Sequence, residues 1–157
     1  MAVVPGPYTG LDAKLYYNSA THASPTWVNV TRAIDVSCNI TQEMVEVNSR
    51  QSRWKKHLPG LKDAELSFGY RIPGGTDTVW DFLLTMLMGT SQVIAEFAVM
   101  DQAIATTGAQ GLRSYFSLSA NNLSQALTDG GIVEVSAKCA YFEASGSIVD
   151  PDWYEVP

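Results

Sequence analysis

Two histidines, two cysteines and sixteen acidic residues are the groups in this 157-residue chain with the greatest scope for chemistry. A nucleophile needs a positioned base, most often histidine. His22 sits among small residues and His57 beside Lys55 and Lys56. Neither lies in a Gly-x-Ser-x-Gly elbow or next to a cysteine, so both read as surface or interface histidines in loops. Cys38 and Cys139 lie far apart without a Cys-x-x-Cys, and each falls within alternating strand residues. They read as buried free thiols rather than as a metal site. Phosphate loops, His-x-x-x-His pairs and dinucleotide glycine spacing are all lacking. Paired carboxylates for glycoside cleavage stay open, because sequence gives no distances. The expectation is a protein that is not an enzyme, with no catalytic residues, no cofactor and no bound metal.

The densest local chemistry is at residues 49–60, read as a long loop between two patterned strands. Four of the ten basic residues, Arg50, Arg53, Lys55 and Lys56, fall there around Trp54. A connection of this length is uncommon in a compact domain and is often functional. Three roles fit it. Basic side chains interleaved with an aromatic can contact nucleic acid. A charged loop can simply be solvated. It can also be a docking arm, since Trp and Arg are favoured at interface hot spots and the rest of the chain is acidic. The net charge of −6 argues against nucleic-acid affinity for the chain as a whole, because phosphate neutralisation requires a basic footprint.

The elements that position these residues are strands. Apolar and polar residues alternate with period two through most of the chain, the signature of half-buried β-structure. Leu15 and Tyr17 share a face, as do Val28 and Val30. Ile34, Val36, Cys38 and Ile40 are expected to oppose Asp35, Ser37, Asn39 and Thr41. Ala64, Leu66, Phe68, Tyr70 and Ile72 oppose Glu65, Ser67, Gly69 and Arg71. Later strands are expected over 92–100, 112–120 and 132–143, the last with Val133, Val135, Ala137, Cys139 and Tyr141 on one face.

One helix, about 77–88, breaks this pattern. Pro73, Gly74 and Gly75 precede it, Thr76 or Asp77 caps it, and Gly89 ends it. Trp80, Phe82, Leu83 and Leu87 are its expected core or interface residues. Only Asp77, Asp81 and Thr85 form a polar stripe, so the helix must be covered on several sides. The length suits one domain. Charged residues make up 17% of the chain, below the roughly 25% of an ordinary soluble domain, which fits a surface partly covered by partners. The N-terminus lacks a signal-peptide pattern. No apolar run approaches the ~20 residues of a membrane helix. The expected fold is mainly β, an antiparallel sandwich or barrel with one flanking α-helix, over residues 1–143. Residues 144–157, acidic and aromatic, form a C-terminal extension read as a loose tail or a docking strap.

An ordered set of segments then resembles a known family. They are residues 10–17 (GLDAKLYY), 27–37 (WVNVTRAIDVS), 58–68 (LPGLKDAELSF), the helix within 76–89, 94–101 (IAEFAVMD), 111–116 (GLRSYF) and the strand near 133–140. The set is similar to the major tail tube proteins of phages with long non-contractile tails. Those are related in turn to the tubes of contractile tails and type VI secretion. The resemblance spans roughly residues 10–143.

It implies a virion structural protein that forms hexameric rings, stacked into a tube around a tape measure protein. Tail terminator and baseplate proteins are implied as further partners, with assembly in the host cytoplasm and no membrane. DNA would pass through the lumen without specific binding. Under this reading Asp35, Glu65 and Glu134 face the lumen, where negative charge repels phosphate. Arg50, Arg53, Trp54 and Lys55 dock onto the adjacent ring. Two alternatives remain open: a secretion-system tube protein, and a monomeric carbohydrate-binding β-sandwich module of a tail fibre or baseplate. The latter would use Trp27, Trp54, Tyr16 and Tyr115 as stacking platforms.

Overall fold

The computed structural model describes residues 14–47, 53–89, 93–123 and 131–157, with backbone alone at 86, 87 and 119–123. Each alternating segment becomes a strand: β1 (Lys14–Asn18), β2 (Trp27–Asn29), β3 (Ala33–Val47), β4 (Lys56–Arg71), β5 (Val93–Met100), β6 (Gln110–Leu123) and β7 (Ile132–Cys139). The helix α1 (Thr78–Met88) stands between β4 and β5. Two very short strands, β8 (Glu143–Ala144) and β9 (Ser147–Ile148), and β10 (Asp152–Glu155) follow. The strands are antiparallel, in the order β2-β1-β5-β6-β7-β4-β3, with β10 added beside β6.

The sheet is rolled. β4 and β5 are three strand steps apart in that order, about 14 Å on a flat sheet. The rings of Phe68 on β4 and Phe97 on β5 are nevertheless 6.1 Å apart. Residues from β1, β4, β5, β6 and β7 therefore meet in one enclosed cluster with the inner face of α1. The helix bridges the two sides of the roll. Phe82 stacks on Tyr17 of β1 at 5.0 Å, and Trp80 stacks on Tyr70 of β4 at 6.1 Å. Asp77 caps the helix by accepting from the Val79 backbone N–H and also accepts from the Tyr70 hydroxyl. Val79, Trp80 and Leu83 are buried and Phe82 packs against the core. The Leu87 side chain lies outside the described residues.

Three sequence expectations need correction. The first concerns β3, where the register slips between Ile34 and Ser37 and Asp35 takes φ 51°, a bulge. The bulge resets the alternation, so Ala33, Val36 and Cys38 pack on the core while Ile34 lies across the sheet. Gly69 makes room for it: a Cβ there would stand 2.9 Å from Ile34 Cγ1. Secondly, residues 56–60 are not loop. Lys56, His57, Leu58 and Pro59 pair with Val47, Glu46, Val45 and Met44, which extends the hairpin, so that β4 begins at Lys56. His57 is thus a strand residue, and it is exposed. Finally, β7 ends at Cys139, and Tyr141 is exposed instead of sharing the core face.

The C-terminal segment is part of the sheet. β10 pairs with Gln110–Arg113 of β6, where β7 no longer runs alongside. Tyr154 and Val156 pack on a second buried cluster, Tyr16, Ala98, Met100 and Ala109, on the opposite face from the main core. Ser145 and Gly146, both at positive φ, form the two-residue turn between β8 and β9.

Candidate assembly surfaces

Beyond the Ile40–Ala64 pair, the β3–β4 hairpin leaves the core as an arm. Every residue of β3 from Ile40 to Val47 is exposed, as are Lys56, His57, Leu58, Pro59 and Leu61 of β4. An exposed strand pair would ordinarily be polar, but this one is not. By alternation Val45, Val47 and Leu58 share one face, while Ile40 and Met44 share the other, with Leu61 at a second bulge. Leu61 is 84% exposed and Met44 59%. Apolar side chains left exposed on both faces of a strand pair make the arm a candidate contact surface. β3 is also an edge strand, with backbone groups available for pairing.

At the arm's tip Arg53 and Lys55 flank Trp54, which is 81% exposed. Lys55 stands 3.6 Å from Glu46, an exposed pair of small energetic weight. Arg50 lies outside the described residues. Arg53, Trp54 and Lys55 thus sit at the end of an apolar stem, of which the sequence reading had assigned only residues 56–60 to a loop.

Glu65 and Glu134 both lie on the sheet face away from the main core, on adjacent strands. Glu65 faces Lys138 and binds it at 2.8 Å, which raises the lysine's pKa; Glu134 faces Gly69. Ser67 and Ser136 lie opposite each other between them. Asp35, in the bulge, joins Glu134 around a shallow hollow of about 320 Å³. Ile34 and Ile132 also line this hollow, and Glu65 lies further along the same sheet face beside Lys138.

A buried ionic cluster was not anticipated. Glu96, 2% exposed, accepts from Arg113 Nε and from Asn18 Nδ2 at 2.7 Å, and His22 Nδ1 lies 2.9 Å from it. Arg113 also donates to the His22 carbonyl and lies against the rings of Trp27 and Tyr154. Burial pushes the Glu96 carboxyl up, but the hydrogen bonds from Arg113, Asn18 and His22 outweigh it and hold the pKa below its ordinary value. Burial, with the Glu96 charge, pushes the Tyr115 hydroxyl up to about 12. The carboxylate is saturated by donors, so the cluster ties the β1–β2 loop to the sheet as a lock. Glu96 occupies a polar position of β5 and in sequence looks solvent-facing. The aromatic C-terminal segment that helps cover this side was the available clue.

The aromatics proposed as sugar platforms are mostly covered. Tyr16 and Tyr115 are buried, the latter stacked on Phe142 at 3.7 Å, and Trp27 is half-buried beneath Arg113. Cys38 and Cys139 are free and half-buried, and burial raises the Cys38 thiol pKa.

No protein-family model and no curated protein matches the sequence. Solved structures do match. The virion of a native gene transfer agent particle contains a chain with TM-score 0.59 and 12% identity, over 93% of this chain and 98% of that one. The tail of an empty gene transfer agent particle, refined with C6 symmetry, gives 0.57 and 18% over 90% and 96%. The SPP1 tail tube gives 0.56 and 12% over 95% and 80%. The rolled sheet with α1 packed against it is a fold this chain shares with those assemblies.

Proposed function

We propose that this chain is a structural subunit that self-assembles into stacked rings to form a phage-type tail tube. The near-complete two-way structural match to tail and tube chains carries this reading. The molecule's own surfaces support it. An apolar arm with a basic tip, on a chain of net charge −6, is suited to a neighbouring copy. Head-to-tail contacts close into rings when the rotation permits, and joining sheets across subunits hides edge strands. Six subunits per ring is the number that the C6 symmetry of the gene transfer agent tail supports.

In the tube, the wall bearing Asp35, Glu65 and Glu134 faces the lumen and repels passing DNA, while a tape measure protein occupies the channel during assembly. The arm residues Arg53, Trp54 and Lys55, with Arg50, contact the adjacent ring. A stack built from heterologous contacts ends in two unmatched surfaces, which terminator and baseplate proteins would cover. The role is structural, and the virion tail is its location.

Negative-stain electron microscopy of the purified protein, alone and with its tape measure protein, is the test. Rings or tubes are expected. A uniformly small monomer at high concentration under both conditions overturns the reading.

A further inference from the structure

A groove of about 650 Å³ runs between the base of the β3–β4 arm and the C-terminal strand. Leu112 and Cys139 line it, Ile40 and Leu61 come from the arm, and Pro151 and Trp153 from the C-terminal segment. Leu61 and Trp153 are 84% and 63% exposed, so the groove is apolar and open. Asp63 and Asp150 add acidic groups, against Lys62 as the one basic lining residue among those described.

The opposite chemistry lies at the far end of the same hairpin. Arg53, Lys55 and Lys56 neighbour Trp54 in the chain, and all four are exposed. A groove of this size can take an indole with the stems of its neighbours. From Ile40 to Val47 the arm runs eight residues, seven steps and about 23 Å at ~3.3 Å per strand residue. The tip and the groove are thus opposite ends of one paired hairpin, and the tip cannot fold back into its own groove. Contact between them must come from another chain, and it is heterologous: each copy gives a tip and offers a groove. Such contacts propagate or close into a ring.

We propose that this groove receives the basic, Trp54-bearing arm tip of a second copy of this chain. The proposal rests on the tube reading and assigns the receiving surface for the arm. Trp54 enters between Leu61 and Trp153, and Asp150 meets the tip's positive charge.

Two measurements test it. In one, Lys56→Cys and Pro151→Cys chains, which keep Arg53 and Trp54 in place, each also carry Cys38→Ser and Cys139→Ser to remove the native thiols; they are mixed under assembly conditions and oxidised. A disulfide between the two chains is expected in the mixture and not in either variant alone. In the other, Asp150→Arg should lower the assembly constant by roughly tenfold, and adding Arg53→Glu to the same chain should restore it, since paired reversal recovers the attraction. Wild-type tubes with no cross-link, and with Asp150→Arg assembling normally, overturn the groove assignment but leave the tube reading intact. A weakened Asp150→Arg that Arg53→Glu fails to restore, again without a cross-link, also overturns it, because Asp150 then acts elsewhere. Failure of the wild type to form any ring or tube removes the tube reading, and this inference with it.

Discussion

Glu96 and Arg113 form an ion pair on neighbouring strands with side chains only 2% and 13% exposed, closed in by His22 and Asn18. Removing one partner of such a pair strands the other in a low-dielectric site. Arg113→Ala should therefore cost roughly 3–5 kcal/mol in a denaturant melt. A cost near zero would show that water reaches the cluster.

The same carboxylate sets an acid limit. Its folded pKa lies below the ordinary value of 4.5. Its stabilisation is thus fully present above about pH 4.5 and is lost as pH falls through the lower folded value. Urea midpoints should drop more steeply for wild type than for Glu96→Gln across that acidic window. Parallel curves for the two proteins would exclude Glu96 as the linked group.

How much of this was legible differs from element to element. Leu66, Phe68 and Tyr70, or Phe97 and Phe116, could be placed inside from alternation because one face of each strand is buried and the other is not. That logic fails at Asp35, where a bulge shifts the parity and only the pairing partner reveals it. Lys56–Gly60 looks like a turn because Pro59, Gly60 and the charges are turn-like. Its extended state is imposed by Met44, Val45, Glu46 and Val47 across the hairpin rather than by burial. Glu96 was missed because polar parity alone does not say whether the outer face is wet. The second cluster beneath Tyr154 and Val156 depends on β10, a strand too short to show a period.

The helix is testable in isolation from assembly. Leu83 is 1% exposed in the main core. Leu83→Ala should cost ~2–5 kcal/mol in monomer melts. Met88, 81% exposed at the other end, should change stability by less than about 0.5 kcal/mol when made alanine. Equal effects at the two positions would contradict the orientation of α1.

For the lumen, Glu134→Lys should leave rings and tubes intact and slow DNA ejection at low salt, since the wall then attracts phosphate. Glu65→Lys should act in the same direction and also break the pair with Lys138, leaving two lysines face to face. Unchanged ejection kinetics in assembled particles, or outright loss of assembly, would place this face away from the channel.

The arm prediction separates folding from assembly. The exposed stretch from Ile40 to Val47 and the tip at Arg53, Trp54 and Lys55 lie outside both buried clusters. Replacing residues 50–56 with a short Gly-Ser linker should therefore give a soluble protein with an unchanged core, since exposed positions contribute little to the fold. It should no longer form long tubes, because the proposed contact then lacks its charge and its indole. Val45→Asp and Met44→Asp probe the two faces of the stem separately. If both faces are covered in the assembly, each should reduce tube length while leaving the denaturant midpoint of the monomer unchanged. Raising salt should weaken wild-type assembly in the same direction as the tip replacement, and less so to the extent that apolar contact excludes water. Tube length and denaturant midpoints, measured on the same preparations, check all of this. If the tip-replaced protein polymerises to normal length with normal stability, the arm is a solvated connector and its apolar faces require another partner.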